Sequence, residues 1–479
     1  MKIVTLIFLV FIFPSGKSFA QHTLLSSKLH YTLLSGISDS VYEGYHEVFE
    51  NRSTNSGKTI MLYIIVIPSI NKTNSPPIFM IEGGPGLSVT NGAAFYADKK
   101  NPYRQNNDVV LIDVRGTGKS NPLHCPSLQQ KENLQQQLDE MYPAEKVKAC
   151  NELLSKENDL QQYNTTNVVQ DLEEIRTWLG YEKIHIYGLS YGTRICLQYM
   201  RMYPQSLSSS VLWSPVPTYA RMPLYHAKFA QQALEKTWND CSSDSMCNKN
   251  YPNISNEFNS LMKRLKQKPA DYIFKDSDGT AEHITVSWDA FETKIRSLMY
   301  APAGIHTIPF VVHEAWKNNL RPFIDLFPKE NFFDDFLAEG FYLCVTCTED
   351  VPFIKSSEIS LETRQTFMGS YRIQQQLQAC ANWTKGTLPS IFLQPVTSNV
   401  PTLIISGSFD PVTPTAWAKE IAATLPNSTL VVIPYMSHLF DGLSNEECFD
   451  NIVADFITNG NYQKLKTGCV NEMKPPGYK

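Results

Sequence analysis

Lys183-Ile-His-Ile-Tyr-Gly188-Leu-Ser190-Tyr-Gly192-Thr193-Arg194-Ile-Cys-Leu-Gln-Tyr-Met-Arg201 opens β-rich, passes through Gly-x-Ser-x-Gly, and closes with apolar residues at helical spacing. By itself the pentapeptide is common by chance and reads as a glycine-rich turn before a helix. A strand before it and a helix after it make it a nucleophile elbow, in which a serine on a strained turn has its Oγ lifted clear of the backbone. Side chains at 188 or 192 would collide across such a turn. The helix that follows aims its N-terminal N–H groups at negative charge forming over Ser190.

Outward from this stretch, strand and helix signals alternate. Tyr42–Phe49 and Thr59–Ile67 are β-rich, with the turn Asn51–Gly57 between them, and read as an antiparallel pair at a sheet edge. Pro76–Ile81 and Val109–Asp113 are further strands, Thr166–Leu179 is an amphipathic helix, and Val211–Trp213 is a short strand. The rhythm stops near Pro215, and the stretch from Pro217 to Val396 reads as helical and irregular, without paired strand signals. It resumes at Pro401–Gly407 and Thr429–Ile433. This is an α/β pattern: a mostly parallel central sheet with helices on both faces and an inserted, mainly helical cap. The expected boundaries are 21–216 for the first part of the core, 217–396 for the cap and 397–479 for the rest of the core.

A serine hydroxyl is a weak nucleophile until an imidazole takes its proton, and the imidazole needs a carboxylate to hold its tautomer. On this architecture the partners follow in the order Ser, Asp or Glu, His, each in a loop after a strand. Asp410, after Pro401–Gly407, and His438, after Thr429–Ile433, meet that order with Ser190. Taken singly, an Asp before a Pro is a turn residue and a His after a strand a loop residue; their joint placement makes the triad. His185 lies inside a strand and reads as packed core. The oxyanion hole is expected from the N–H of Tyr191 with one from Gly83 or Gly84, in the loop Glu82-Gly83-Gly84-Pro85-Gly86. A phosphate loop is the rival reading of these glycines, but no Gly-Lys-Ser/Thr follows.

The chain has 479 residues, 42% of them hydrophobic, enough for a sizeable core. A formal charge of −5 without any basic run gives no support to nucleic-acid binding. Met1-Lys2, the apolar run Ile3–Phe13 and the small residues up to Ala20 read as a secretory signal peptide, 1–20; the run is short for the alternative, a membrane anchor. Export to a secreted or periplasmic address, without stable membrane insertion, also suits ten cysteines. Cys241 with Cys247, Cys125 with Cys150, and Cys448 with Cys469 are the expected pairs; Cys380 has Cys347 or Cys344 open to it, and Cys196 reads as a buried free thiol. Cys344-x-x-Cys347 as half of a metal site is the rival reading, with no second pair to complete it.

Gly83-Gly-Pro-Gly86, Asp113-x-Arg115-Gly-Thr-Gly118-x-Ser120, Gly188-x-Ser190-Tyr-Gly192, Asp410-Pro-Val-Thr-Pro and Ser437-His438 together resemble the proline iminopeptidase and tripeptidyl aminopeptidase group of α/β-hydrolases. Cys125, Cys150, Cys347-Thr-Glu349-Asp350 and Cys380-Ala-Asn-Trp383 are more similar to its secreted tripeptidyl-type branch. The resemblance implies an exopeptidase acting on free peptide N-termini, with a peptide as its partner and neither metal nor cofactor. Where proline iminopeptidases often carry His, this chain has Glu82. Asp113 and Arg115 are expected to brace the loops around the site. An aminopeptidase must also hold the substrate ammonium; among the acidic residues near the cap's aromatic stretch (Asp334, Asp335, Glu339, Glu349 and Asp350), Glu349 is the first candidate. The alternative functions are an esterase or lipase-like hydrolase using the same triad and a non-catalytic binding protein on the same scaffold. Oligomeric state is left open.

Overall fold

The computed structural model describes residues 21, 23–129, 133–275, 279, 281–327, 337–460 and 463–479; the expected signal peptide lies outside them. Nine strands form one sheet in the order β1-β2-β3-β5-β4-β6-β7-β10-β11. They are β1 (His30–Thr32), β2 (Val41–Phe49), β3 (Thr59–Ile67), β4 (Ile78–Ile81), β5 (Val109–Ile112), β6 (Ile184–Leu189), β7 (Leu207–Trp213), β10 (Thr402–Gly407) and β11 (Ser428–Ile433). The run β5-β4-β6-β7-β10-β11 is parallel throughout, while β1, β2 and β3 add an antiparallel edge that joins it at β5.

The apolar runs cause this arrangement. A strand covered on both faces must be apolar at every position, and Ile78-Phe-Met-Ile81 and Val109-Val-Leu-Ile112 are buried throughout. The pleat sends Phe79, Ile81, Val110 and Ile112 into one core and Ile78, Met80, Val109 and Leu111 into the other. Helices α1 (Thr165–Trp178) and α2 (Tyr191–Met202) cover the first face through Val168, Leu172, Ile195 and Tyr199.

Between β7 and β10 the chain leaves the sheet. Helices α3 (Met222–Ser243), α4 (Ile254–Gln267), α5 (Trp288–Leu298) and α6 (Ile308–Trp316) gather around a separate apolar centre that includes Leu234, Phe258, Phe291 and Val312. The expectation of a stretch without strand pairs is corrected by an antiparallel hairpin, β8 (Ala270–Lys275) with β9 (Ala281–Val286). Its signal was partly present: Tyr272, Phe274, Ile284 and Val286 recur at every second position on the more buried face, although Ile273 on the wet face breaks the polar alternation. Two later helices, α7 (Glu339–Glu349) and α8 (Tyr371–Ala381), return towards the sheet, and Phe341, Leu343 and Val345 of α7 belong to the core under α1 and α2. After the inserted segment, α9 (Thr415–Thr424) packs on the first face and α10 (Glu447–Asn459) on the second.

Four disulfides join Cys125–Cys150, Cys241–Cys247, Cys347–Cys380 and Cys448–Cys469, leaving Cys196 and Cys344 as buried free thiols. The open choice for Cys380 thus falls on Cys347, while Cys344 Sγ accepts a hydrogen bond from Trp383 Nε1 at 3.4 Å. No helix among the described residues is long and apolar enough to cross a membrane.

Candidate active site

Ser190 sits between β6 and α2 with φ 54° and ψ −119°, a left-handed conformation costly for any residue with a side chain. Its surroundings permit no relief. A Cβ on Gly188 would meet Gly192 carbon at 2.5 Å, and one on Gly192 would meet the Ile81 carbonyl oxygen at 2.5 Å. The turn is held by Ser190 N–H donating to Trp213 O at 2.9 Å and by Thr193, whose N–H and hydroxyl both donate to Ser190 O. Ser190 keeps part of its surface open, while Asp410 and His438 are 5% and 4% exposed.

Asp410 follows β10, and its Oδ2 lies 2.9 Å from His438 Nδ1. Its Oδ1 accepts the N–H groups of Val412 and Thr413 at 2.7 and 2.8 Å, and Thr413 Oγ1 donates to Oδ2 at 2.7 Å. Burial would raise this carboxyl, but the His438 ring and the Thr413 donors outweigh burial and hold it below its ordinary value. It therefore stays ionised beside the imidazole. Ser190 and His438 hang from adjacent residues: Trp213 takes the Ser190 N–H, and Ser214 Oγ donates to His438 O at 2.8 Å. Among the described residues the Ser190 hydroxyl makes no hydrogen bond to His438 within 3.5 Å. Such contacts commonly tighten only when substrate is bound.

The two glycine candidates for the oxyanion hole differ. A Cβ on Gly83 would lie 3.0 Å from Ser190 Cβ, so this loop runs directly against the nucleophile. The Gly83 N–H donates to Glu82 Oε2 at 3.1 Å, whereas no acceptor among the described residues takes the Gly84 N–H. Of the two, Gly84 is the one whose N–H is uncommitted among the described residues, and Tyr191 is the first residue of α2.

The bracing residues are fully buried. Asp113 accepts from Ser88 Oγ, from the Thr90 N–H and hydroxyl, and from the Lys119 N–H. Arg115 closes a two-pronged fork on Asp171, Nε to Oδ2 at 2.6 Å and Nη2 to Oδ1 at 2.7 Å. His185 is packed as expected: its Nδ1 lies 2.7 Å from Ser209 Oγ, and burial pushes its pKa down to about 4.

Glu349 needs correction as the substrate-amine residue. It is 0% exposed. Its Oε1 accepts the Thr165 N–H at 2.7 Å, its Oε2 accepts the Thr165 hydroxyl at 2.8 Å, and Arg194 Nη1 approaches Oε2 at 3.5 Å. Burial lifts its carboxyl to about 7 against the pull of Arg194. Arg194 also binds Asp350 Oδ1 at 3.0 Å, so one guanidinium on the nucleophile helix ties α7 to the core. No face of Glu349 is left for an ammonium. Asp334 and Asp335 lie outside the described residues.

Sequence reasoning also missed two neighbours of the imidazole. Thr413 supports Asp410, and its signal was the Asp-Pro-Val-Thr run itself. Tyr300 meets the His438 ring edge-on at 5.3 Å, and its carbonyl accepts the Leu439 N–H at 2.8 Å. It comes from the inserted segment, and nothing in its local sequence marks it. The free Cys344 and the bonded Cys347 do not form a metal pair, and no group of metal-ligating side chains occurs among the described residues.

Residues 76–273 match the family model for the alpha/beta hydrolase fold, and residues 365–469 match the TAP-like protein family. The serine protease Hip1 of Mycobacterium tuberculosis is 24% identical over 414 residues, covering 79% of this chain and 78% of the relative. The tripeptidyl aminopeptidase of Streptomyces lividans is 30% identical over 176 residues, or 33% of this chain and 32% of the relative. A probable proline iminopeptidase of Streptomyces coelicolor is 26% identical over 136 residues, or 28% and 32%.

Proposed function

We propose that this chain, a serine hydrolase of the α/β-hydrolase fold with peptidase homologues, is an exported exopeptidase that removes residues or short peptides from free peptide N-termini. In this reading Ser190 attacks the scissile carbonyl as His438 takes its proton, with Asp410 holding the imidazole. The Tyr191 and Gly84 N–H groups stabilise the tetrahedral oxyanion, where one such donor is worth about 3–4 kcal/mol. His438 then protonates the departing amine, and water activated by the same ring releases the acyl product. Residues 217–396 act as the cap that selects the substrate. Four disulfides support the exported address.

The observation that carries the reading is the buried Asp410–His438 pair at 2.9 Å on the sheet edge where Ser190 occupies its strained turn. Two measurements test it. A serine-directed fluorophosphonate should label Ser190, and Ser190→Ala should abolish the labelling. Free peptidyl anilides should then be cleaved faster than their N-acetylated counterparts. Preference for the blocked substrates would exclude an aminopeptidase, and lack of labelling would exclude a serine hydrolase mechanism.

A further inference from the structure

Buried polar groups in folded proteins nearly always have partners, and a cluster of side chains on and beside α5 departs from that rule among the described residues. Arg296 Nε and Nη2, Glu292 Oε2 and His226 Nδ1 are all shielded from solvent without a hydrogen-bond partner. Glu292 is 0% and His226 7% exposed. The four atoms belong to one neighbourhood. Arg296 and Arg372 are the charges that act on both Glu292 and His226. Arg372 is already engaged, its Nη1 on Gln376 Oε1 and its Nη2 on Tyr342 OH. Arg296 is not: no ion pair joins it to a carboxylate among the described residues.

The position of these side chains is as telling as their lack of partners. Glu292, Arg296 and Tyr300 stand at i, i+4 and i+8 along α5 and the turn that ends it, which puts them on one face. The Arg296 guanidinium lies 5.3 Å from the Tyr300 ring, and the Tyr300 ring lies 5.3 Å from that of His438. Tyr300 O accepts the Leu439 N–H, and Met299 O accepts the Ser437 hydroxyl, so the foot of this face is fastened to the histidine loop. One helical turn separates Arg296 from Tyr300, so its guanidinium lies on the order of 10 Å from the imidazole. That is about the span of three extended residues.

The unpaired atoms also say what is missing. Nε and Nη2 form one edge of a guanidinium, the edge whose parallel N–H bonds match the two oxygens of a carboxylate. The same protein shows the filled version, since Arg115 uses Nε and Nη2 to hold both oxygens of Asp171. Burial lifts the Glu292 carboxyl to about 8 against the pull of Arg296, so near neutral pH it carries a proton it can donate. Burial and the two guanidiniums keep His226 well below its ordinary value and hence neutral. An ammonium would meet a guanidinium here; a carboxylate would meet donors.

We propose that Arg296, with Glu292 and His226, forms a subsite in the inserted segment that receives a carboxylate of the peptide substrate about three residues from the scissile bond. The carboxylate is either the free C-terminus of a short peptide or an acidic side chain. This specifies the substrate class of the Ser190 peptidase described above and rests on that reading.

Binding to the intact Ser190→Ala protein separates the two claims, because nothing is consumed. Calorimetric titration with tetra-alanine as the free acid and as its C-terminal amide, and with Ala-Ala-Ala-Asp amide against Ala-Ala-Ala-Asn amide, distinguishes the two sources. One carboxylate-bearing member should bind at least about tenfold more tightly than its neutral twin. Arg296→Met should erase that difference, and Arg296→Lys, which keeps the charge without the fork, should restore only part of it. Equal affinity within both pairs, or no binding by any of the four, would overturn the proposal. So would an Arg296→Met loss that falls equally on acid and amide. If Arg296→Met fails to fold, the comparison in otherwise unsubstituted Ser190→Ala protein still decides. Fluorophosphonate labelling of the native enzyme tests the serine-hydrolase reading separately.

Discussion

Arg115 and Arg296 are the same side chain in two halves of the molecule, and they are treated in opposite ways. Under the sheet edge, Arg115 is wholly buried and spends its fork on Asp171 while Nη1 donates to the Glu50 carbonyl at 2.7 Å. In the inserted segment, Arg296 is half-buried and keeps the same edge out of water without a partner among the described residues. The carboxylates tell the same story. Asp113 accepts from three residues, whereas Glu292 is equally buried and has one oxygen without a partner. A buried charge whose bonds close within the fold holds the fold together. One whose bonds stay open costs stability until something arrives to complete them. Arg115 and Asp113 close their bonds within the fold, whereas Arg296 and Glu292 each keep polar atoms without a partner among the described residues.

The largest effect expected on this contrast lies in the scaffold's reacting groups. Ser190→Ala should lower kcat by about 10⁶-fold with the thermal midpoint nearly unchanged, read from steady-state rates and a melting curve. Asp410→Asn, which leaves the shape but reverses the hydrogen bond to His438, should cost about 10⁴-fold in kcat. A loss under tenfold would show that the 2.9 Å contact is not catalytic. Next comes the pair of arginines. Arg115→Met leaves Asp171 buried without its fork and should destabilise the protein by about 3–5 kcal/mol in denaturant unfolding. Arg296→Met should leave stability equal or higher, because it removes donors that have no acceptor. Equal destabilisation by both would erase the contrast.

The smallest effect is a slope with pH. Glu292 is lifted from its ordinary 4.5 to about 8 by burial and by the Asp289 charge, against Arg296, Arg372 and the Thr293 hydroxyl. The folded protein therefore keeps a proton that the unfolded chain releases. This contribution is complete below pH 4.5 and is lost as the pH rises through about 8. Glu292→Gln should flatten the fall in thermal midpoint across that window. Asp410 works the other way: its carboxyl is held low, so its contribution is present above its ordinary value and lost on acidification. A wild-type midpoint that rises steadily from pH 5 to 8 would contradict the Glu292 assignment.

Much of the scaffold was legible because its signals are local. Thr59–Ile67 was read residue for residue, and the strands ending near Gly407 and Ile433 were found within two residues, since an apolar run bounded by turn formers is visible in any short window. The hairpin at 270–286 was missed although part of its alternation was there, because a wet, half-packed strand pair carries a weaker pattern than a buried one. Glu349 was assigned to the substrate on its neighbours in sequence. In the fold it meets Arg194, 155 residues away, and Thr165, 184 away. No local window holds that information.

The chain order of Ser190, Asp410 and His438, each after its strand, and the glycines that the elbow requires were settled by residue type and spacing, because sterics and apolar periodicity act between near neighbours. Which buried charges find partners was settled only by tertiary packing. Whether a guanidinium is neutralised depends on what distant segments deliver within about 3 Å of it. Asp171 reaches Arg115, and no carboxylate among the described residues reaches the Nε–Nη2 edge of Arg296.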